Sequence, residues 1–208
     1  MLAEVPDDAA IVIPGDVAAG PFPSETLTRL RGLGDRVHWL RGNADRELTP
    51  GEDGGAPPEL IEWIRARLSN EEIAFLHGLP PTVTLDVEGI GRVLFCHATP
   101  RNDMDVFTAV TPEERVAPIF ASVDADLVVC GHTHHQFDRT IAGVRVVNAG
   151  SVGMAYEDEP GAYWTLLGPD VEPRRTPFEP APNDFPDRGP APSRTEAVAF
   201  LEAHAVGA

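Results

Sequence analysis

Four short clusters in this chain combine side chains that bind metal ions or move protons. They are Gly15-Asp16, Gly42-Asn43-Ala44-Asp45, Cys96-His97 and Gly131-His132-Thr133-His134-His135. Carboxylate, amide and imidazole are oxygen and nitrogen donors of hard to borderline character. Such donors suit Mn²⁺, Fe, Zn²⁺ or Mg²⁺ better than copper(I) or an iron–sulfur cluster. His132 and His134 stand two residues apart, so on extended backbone their rings would share a side, while on a tight loop they could face two different metals. Each cluster alone also has an ordinary reading. Gly-Asp and Gly-Asn are common turn pairs, and a His at a strand end is often just a hydrogen-bonded structural residue. The order of all four, each following a strand, points to a metal centre.

The elements that must carry these clusters can be read from the pattern of apolar residues. Residues 10–13 form an apolar strand that empties into Pro14-Gly15-Asp16, and residues 37–40 form a second that runs into Arg41-Gly42-Asn43. Ser24 is the expected cap of a helix through Leu27 and Leu30. Leu60, Ile61, Ile64 and Leu68 recur at helical spacing, and Ser69 with Glu72 makes a capping box for the next helix. Val83, Leu85 and Val87 alternate with polar residues, turn at Glu88-Gly89, and return through Val93 to Cys96 as a hairpin. A helix begins near Pro112, and Pro118 should kink or end it. Residues 126–130 form a buried strand before the histidine cluster, and a hairpin then leads to residues 144–147 and Asn148-Ala149-Gly150-Ser151-Val152-Gly153. Residues 162–167 are the last core strand. A Pro-rich edge strand and irregular arm follow, and Ser193 with Glu196 caps a final helix with Val198 and Leu201 inward.

Length and charge bound the partners. With 208 residues and 42% apolar content, the chain can bury a real core. Acidic residues outnumber basic ones 33 to 16, a formal charge of −17, which argues against sequence-independent nucleic-acid binding and against anionic membranes. The first residues lack the basic and apolar regions of a secretory signal, and no apolar run approaches bilayer length. Two cysteines exclude a disulfide-stapled scaffold; Cys96 and Cys130 read as buried strand thiols rather than a bridge. The expected compartment is the cytoplasm. Oligomeric state is not encoded legibly.

The conjunction of Gly-Asp, Gly-Asn-x-Asp, Cys-His and Gly-His-Thr-His, followed by Asn-Ala-Gly-Ser-Val-Gly, resembles the calcineurin-like metallophosphoesterase superfamily, and within it the small bacterial phosphodiesterase/phosphatase branch. The resemblance covers about residues 10–175. It implies an α/β fold, a four-layer αββα sandwich of two mixed sheets, with residues 1–176 as the phosphoesterase domain. Residues 177–208 would be a Pro-rich arm and helix packed on the same domain. Carried over by position, Asp16 would bridge two divalent metal ions (Mn, Fe, Zn, Mg or Ni), Asn43, His97 and His132 would complete one site, and His134 would serve the other. Asn148 would brace the histidine loop, and Gly150 to Gly153 would be a tight turn. The implied reaction is hydrolysis of a small phosphorylated substrate, a phosphomonoester or phosphodiester, by a metal-bridging hydroxide. Asp16, Asn43 and His97 would form the catalytic group, with Asn43 and Arg101 on the phosphate; a solvated loop Arg is the plainer reading of Arg101. A dinucleoside-polyphosphate hydrolase and a scaffold of the same fold are the alternatives.

The chain departs from that family in three places. The family's opening strand ends in Asp-x-His, and no Asp-x-His occurs here, so the first strand is expected to be missing and Met1 to Val5 to be a helical stub. Many members place a general-acid His where this chain has Ala44. The Asp-x-x-Asp-Arg-Gly of the protein phosphatases is absent, since Asp16 is followed by Val17-Ala18-Ala19-Gly20-Pro21. His135 is then either a substitute ligand or a neighbour. Arg41 is expected to hold its loop, and Asp45 to cap it. His38, His77 and His204 fall outside the motifs, and Trp39, Trp63 and Trp164 are expected in the core.

Overall fold

The computed structural model describes residues 1–179, 183–186 and 192–207. The elements, in chain order, are strand β1 (Ile11–Ile13), helix α1 (Pro23–Arg31), β2 (Val37–Trp39), the single-turn helix α2 (Asn43–Arg46), α3 (Pro58–Arg65) and α4 (Asn70–His77). They continue with the hairpin β3 (Thr82–Val87) and β4 (Gly91–Cys96), helix α5 (Glu113–Phe120) and β5 (Leu127–Cys130). A second hairpin, β6 (Gln136–Ile141) and β7 (Val144–Ala149), is followed by β8 (Ala162–Leu167), β9 (Val171–Thr176) and helix α6 (Arg194–Glu202).

The central sheet has the order β3-β4-β5-β7-β6. Its three middle strands, β4, β5 and β7, run parallel, and the two hairpins add an antiparallel strand at each edge. Strand β5 is buried along its whole length, as a strand covered on both faces must be. The period of two sorts its side chains and those of its neighbours into two cores. Cys96, Val128, Cys130 and Val146 face Phe107, Val116 and Phe120 on the α5 side. Val93, Phe95, Leu127, Val129 and Val147 face the opposite way, onto Leu40, Val12, Leu167 and Val171. A third cluster, Leu27, Leu48, Leu60, Ile61, Ile64 and Leu76, packs α1, α3 and α4 on the outside, with Trp39, Trp63 and Phe75 against it. The layers are therefore helix, sheet, strands, helices, the expected α/β sandwich.

The second strand layer differs from the expected mixed sheet. It consists of two separate ladders, β1 with β2 in parallel and β8 with β9 antiparallel, and no described strand hydrogen-bonds between them. Only a 3₁₀ turn, Leu2–Glu4, precedes β1, matching the helical stub. Ser24 does not cap α1. Pro23 opens the helix at a φ already suited to it, and the Ser24 hydroxyl instead donates to Glu72 at 2.6 Å. The capping boxes at Ser69 and Ser193 form as expected. Helix α5 runs through Pro118 and ends two residues later. On α6, Ala197 is the residue fully inside; Val198 and Leu201 are half-buried. Part of the Pro-rich arm, residues 180–182 and 187–191, lies outside the described residues. No helix among the described residues is long and apolar enough to cross a membrane.

Phe120 is fully buried and meets Phe107 edge to face at 5.6 Å. Phe120→Ala should cost about 3–5 kcal/mol in urea unfolding, through lost burial and the cavity left behind. A change below about 1 kcal/mol would contradict the packing described.

Candidate metal centre

Four loops at the carboxyl ends of strands, and the end of a fifth strand, meet at one end of the sandwich, where open α/β sheets assemble their sites. Strand β1 delivers Asp16, β2 delivers Asn43, β4 delivers His97, β5 delivers His132 and His134, and β7 delivers Asn148. Asp16, His97 and His132 each offer a ligand atom within 4.8 Å of the others. The His97 Nε2 stands at the middle: 3.3 Å from Asp16 Oδ2, 2.9 Å from Asn43 Oδ1 and 3.2 Å from His132 Nδ1.

The other nitrogen of His97 decides what that arrangement means. Its Nδ1 lies 2.6 Å from the Pro14 carbonyl, an acceptor, so Nδ1 carries the proton. Nε2 of a neutral His97 would then present a lone pair to a carboxylate oxygen and an amide oxygen. Such a confrontation of acceptors is stable only with a cation among them, a proton or a metal. Without a metal, the proton is held. Burial would lower the His97 pKa, but the Asp16 carboxylate beside it raises it to about 9. Burial would likewise raise Asp16, but His97, the Ala44 amide and His132 hold it down at about 2. His132 is pushed down to about 4 by burial and by His97, so its ring stays neutral. One carboxylate oxygen, one amide oxygen and two imidazole nitrogens, one with its tautomer fixed by a backbone carbonyl, fit a divalent cation of the zinc or manganese type.

The backbone is bent to serve this geometry. Asp16, His132 and His134 have φ of 57°, 64° and 60°, a left-handed conformation that non-glycine residues rarely hold. The glycines of the first two clusters stand against each other. A Cβ on Gly15 would sit 2.4 Å from the Gly42 nitrogen, and one on Gly42 would sit 2.1 Å from Asp16 Oδ1. Asp45, buried to 1% exposure, joins the same two loops. Its carboxylate accepts from the amides of Asp16 at 2.7 Å, Val17 at 3.0 Å and Gly42 at 3.0 Å. Burial and the nearby Asp16 charge push its pKa up to about 7. The Ala44 amide donates to Asp16 Oδ1 at 2.9 Å, leaving Oδ2 to face His97.

The remaining expected residues separate cleanly. Asn148 braces the histidine loop, donating to the Gly131 carbonyl at 2.6 Å and to Thr133 Oγ1 at 2.9 Å. His134 lies outside the close group; its Nδ1 meets the Met154 carbonyl at 2.7 Å and its ring stacks on Tyr156. Among the described residues, one group of three His or Asp side chains comes close enough to share an ion, and His134 is not part of it. Arg101 donates to the Asp105 carboxylate through Nε at 2.6 Å and Nη2 at 2.9 Å. His135 is fully buried on the Phe137 side of the loop. Cys96 and Cys130 are buried free thiols, and burial raises both. Ser151 accepts from the Met154 amide in a turn. The Tyr156 stack and the threefold grip of Asp45 carry no sequence signal beyond the Asp two residues after Asn43.

A family model for the calcineurin-like phosphoesterase superfamily domain matches residues 2–167, and the chain belongs to that superfamily. Among solved structures, the hypothetical protein PH1004 from Pyrococcus horikoshii OT3 is 19% identical with a TM-score of 0.68, over 81% of this chain and 75% of that one. A metallophosphoesterase from Sphaerobacter thermophilus is 22% identical with a TM-score of 0.65, over 82% of this chain and 78% of that one. Both establish a shared fold. No curated protein matches the chain.

Two substitutions separate ligand from loop staple. His132→Ala should leave urea stability within about 1 kcal/mol while removing a metal ligand, because a loop imidazole adds little to the core. Asp45→Ala orphans three amides and should cost about 2–4 kcal/mol. Equal stability losses in the two variants would contradict these roles.

Proposed function

We propose that this chain is a metal-dependent hydrolase of small phosphomonoesters or phosphodiesters with good leaving groups. The carrying observation is the meeting of Asp16, Asn43, His97 and His132 around one point that demands a cation. These four residues would hold the ion. A bound divalent ion supplies Lewis-acid polarisation of a phosphoryl oxygen and an activated water.

The chain's own contribution is orientation and charge. The Pro14 carbonyl keeps the His97 ring turned with Nε2 inward, and the Ala44 amide fixes the rotation of Asp16. Asn43 stands beside His97 with its Oδ1 turned toward the place of the ion, while its Nδ2 donates to the Gly54 carbonyl. Position 44 offers only a methyl group, so the helix that carries Asn43 brings no proton donor to a leaving group at that position. The strongly acidic surface favours a substrate brought in by the cation over one attracted by protein charge. A protein substrate of the kind served by the Asp-x-x-Asp-Arg-Gly phosphatases is disfavoured by the sequence after Asp16.

The test is hydrolysis of aryl phosphomonoesters and phosphodiesters of rising leaving-group pKa, with and without Mn²⁺ after chelator treatment. The expected result is metal-dependent turnover that falls steeply with leaving-group pKa. Ala44→His should flatten that slope by restoring a general acid, worth about 10²–10⁴-fold on the poorest leaving groups. No turnover with any divalent ion would favour an interaction module of the same fold. A flat profile in the unchanged chain would place a proton donor elsewhere.

A further inference from the structure

Arg46 closes α2, three residues after Asn43, and does not touch the centre. Its bonds nonetheless end one residue short of it. Nε and Nη2 grip the Asp103 carboxylate in a two-bond fork at 2.7 and 3.1 Å. Nη1 donates to the Asp53 carbonyl at 2.7 Å and lies 3.5 Å from the Glu52 carboxylate. The Arg46 and Asp103 side chains are only 17% and 19% exposed, so the fork is screened far less than a surface pair.

The residue after Asp53 is Gly54, and its carbonyl accepts from Asn43 Nδ2 at 2.8 Å. That bond fixes which end of the amide points inward. With Nδ2 held outward by Gly54, Oδ1 must face His97 Nε2. The Gly54 backbone is also pressed close: a Cβ there would lie 2.5 Å from the Asn43 carbonyl. Glu47 holds the far side of the same loop through the Ala56 amide at 3.1 Å, and Arg46 holds the near side. The residue after Asp103 is Met104, whose backbone lies against the His132 ring.

We propose that Arg46 is a positioning residue of the metal centre: it fixes the Asn43 amide by gripping the Asp53–Gly54 loop and bracing that loop against Asp103. The proposal rests on the metal-centre reading, with Asn43 as a ligand. The planar guanidinium is essential, because a lysine ammonium cannot serve the carboxylate fork and the carbonyl together.

The test is a double-mutant cycle read by Co²⁺ titration with visible absorption, using Arg46→Ala and Asn43→Ala singly and together. In the otherwise unchanged chain, Arg46→Ala should weaken Co²⁺ binding about 10–100-fold and shift the visible band. In the Asn43→Ala background the same change should cost less than about threefold, because the group it orients is gone. If Arg46→Ala does not fold, Arg46→Lys enters the same cycle with the same expected pattern. Hydrogen exchange of the Asn43 side-chain amide, read by NMR on metal-free protein, needs no cation. It should be slow in the unchanged chain and fast in the Arg46 variant. A chain that binds no Co²⁺ would therefore overturn the metal-centre reading, while the exchange measurement still decides on Arg46. Equal losses in both backgrounds, or unchanged Asn43 exchange, would overturn the proposal.

Discussion

Everything at the working end of this protein depends on one nitrogen atom. His97 Nε2 faces a carboxylate oxygen, an amide oxygen and a second imidazole nitrogen, and its ring partner Nδ1 is committed to the Pro14 carbonyl. Acceptors crowded in this way repel unless a positive charge stands among them. The metal-free protein meets the demand by keeping His97 protonated next to an ionised Asp16. A divalent ion would meet it better, because these four residues could all turn a lone pair toward it. The centre is built at a local energetic cost that the fold recovers elsewhere.

Part of that cost is backbone conformation. Asp16, His132 and His134 all hold left-handed φ values, which cost on the order of 1–3 kcal/mol each unless the surroundings enforce them. Enforcement is visible. Asp45 collects three amides from the Asp16 and Gly42 loops. Asn148 collects the Gly131 carbonyl and Thr133, on either side of His132. Gly15 and Gly42 let the two loops approach closer than any side chain would permit. Behind them, β5 is buried on both faces between two apolar clusters, so the strand that launches His132 has little freedom to move.

The positions of the elements were readable because each motif follows an apolar run of strand length, and the grouping of Asp16, Asn43, His97 and His132 came from the family resemblance those motifs carry. Three features were hidden for physical reasons. The left-handed backbone falls on Asp and His rather than on glycine, so no residue type announces it. Arg101 pairs with Asp105, four residues on, and a salt bridge of that kind looks like any other charge pair in sequence. The break between the β1–β2 and β8–β9 ladders depends on hydrogen bonding between distant strands, which the local alternation of apolar residues does not encode. Ser24 shows the limit at a helix end: a good capping residue is displaced when Pro at the preceding position already fixes the first turn.

The central claim is that a divalent cation belongs at the point where Asp16, Asn43, His97 and His132 meet. Anomalous diffraction from crystals grown with Zn²⁺, recorded above and below its absorption edge, tests it most directly. The account predicts an anomalous peak about 2.0–2.2 Å from Asp16 Oδ2, Asn43 Oδ1, His97 Nε2 and His132 Nδ1. No peak at that point, or a peak bound by other residues, would contradict it.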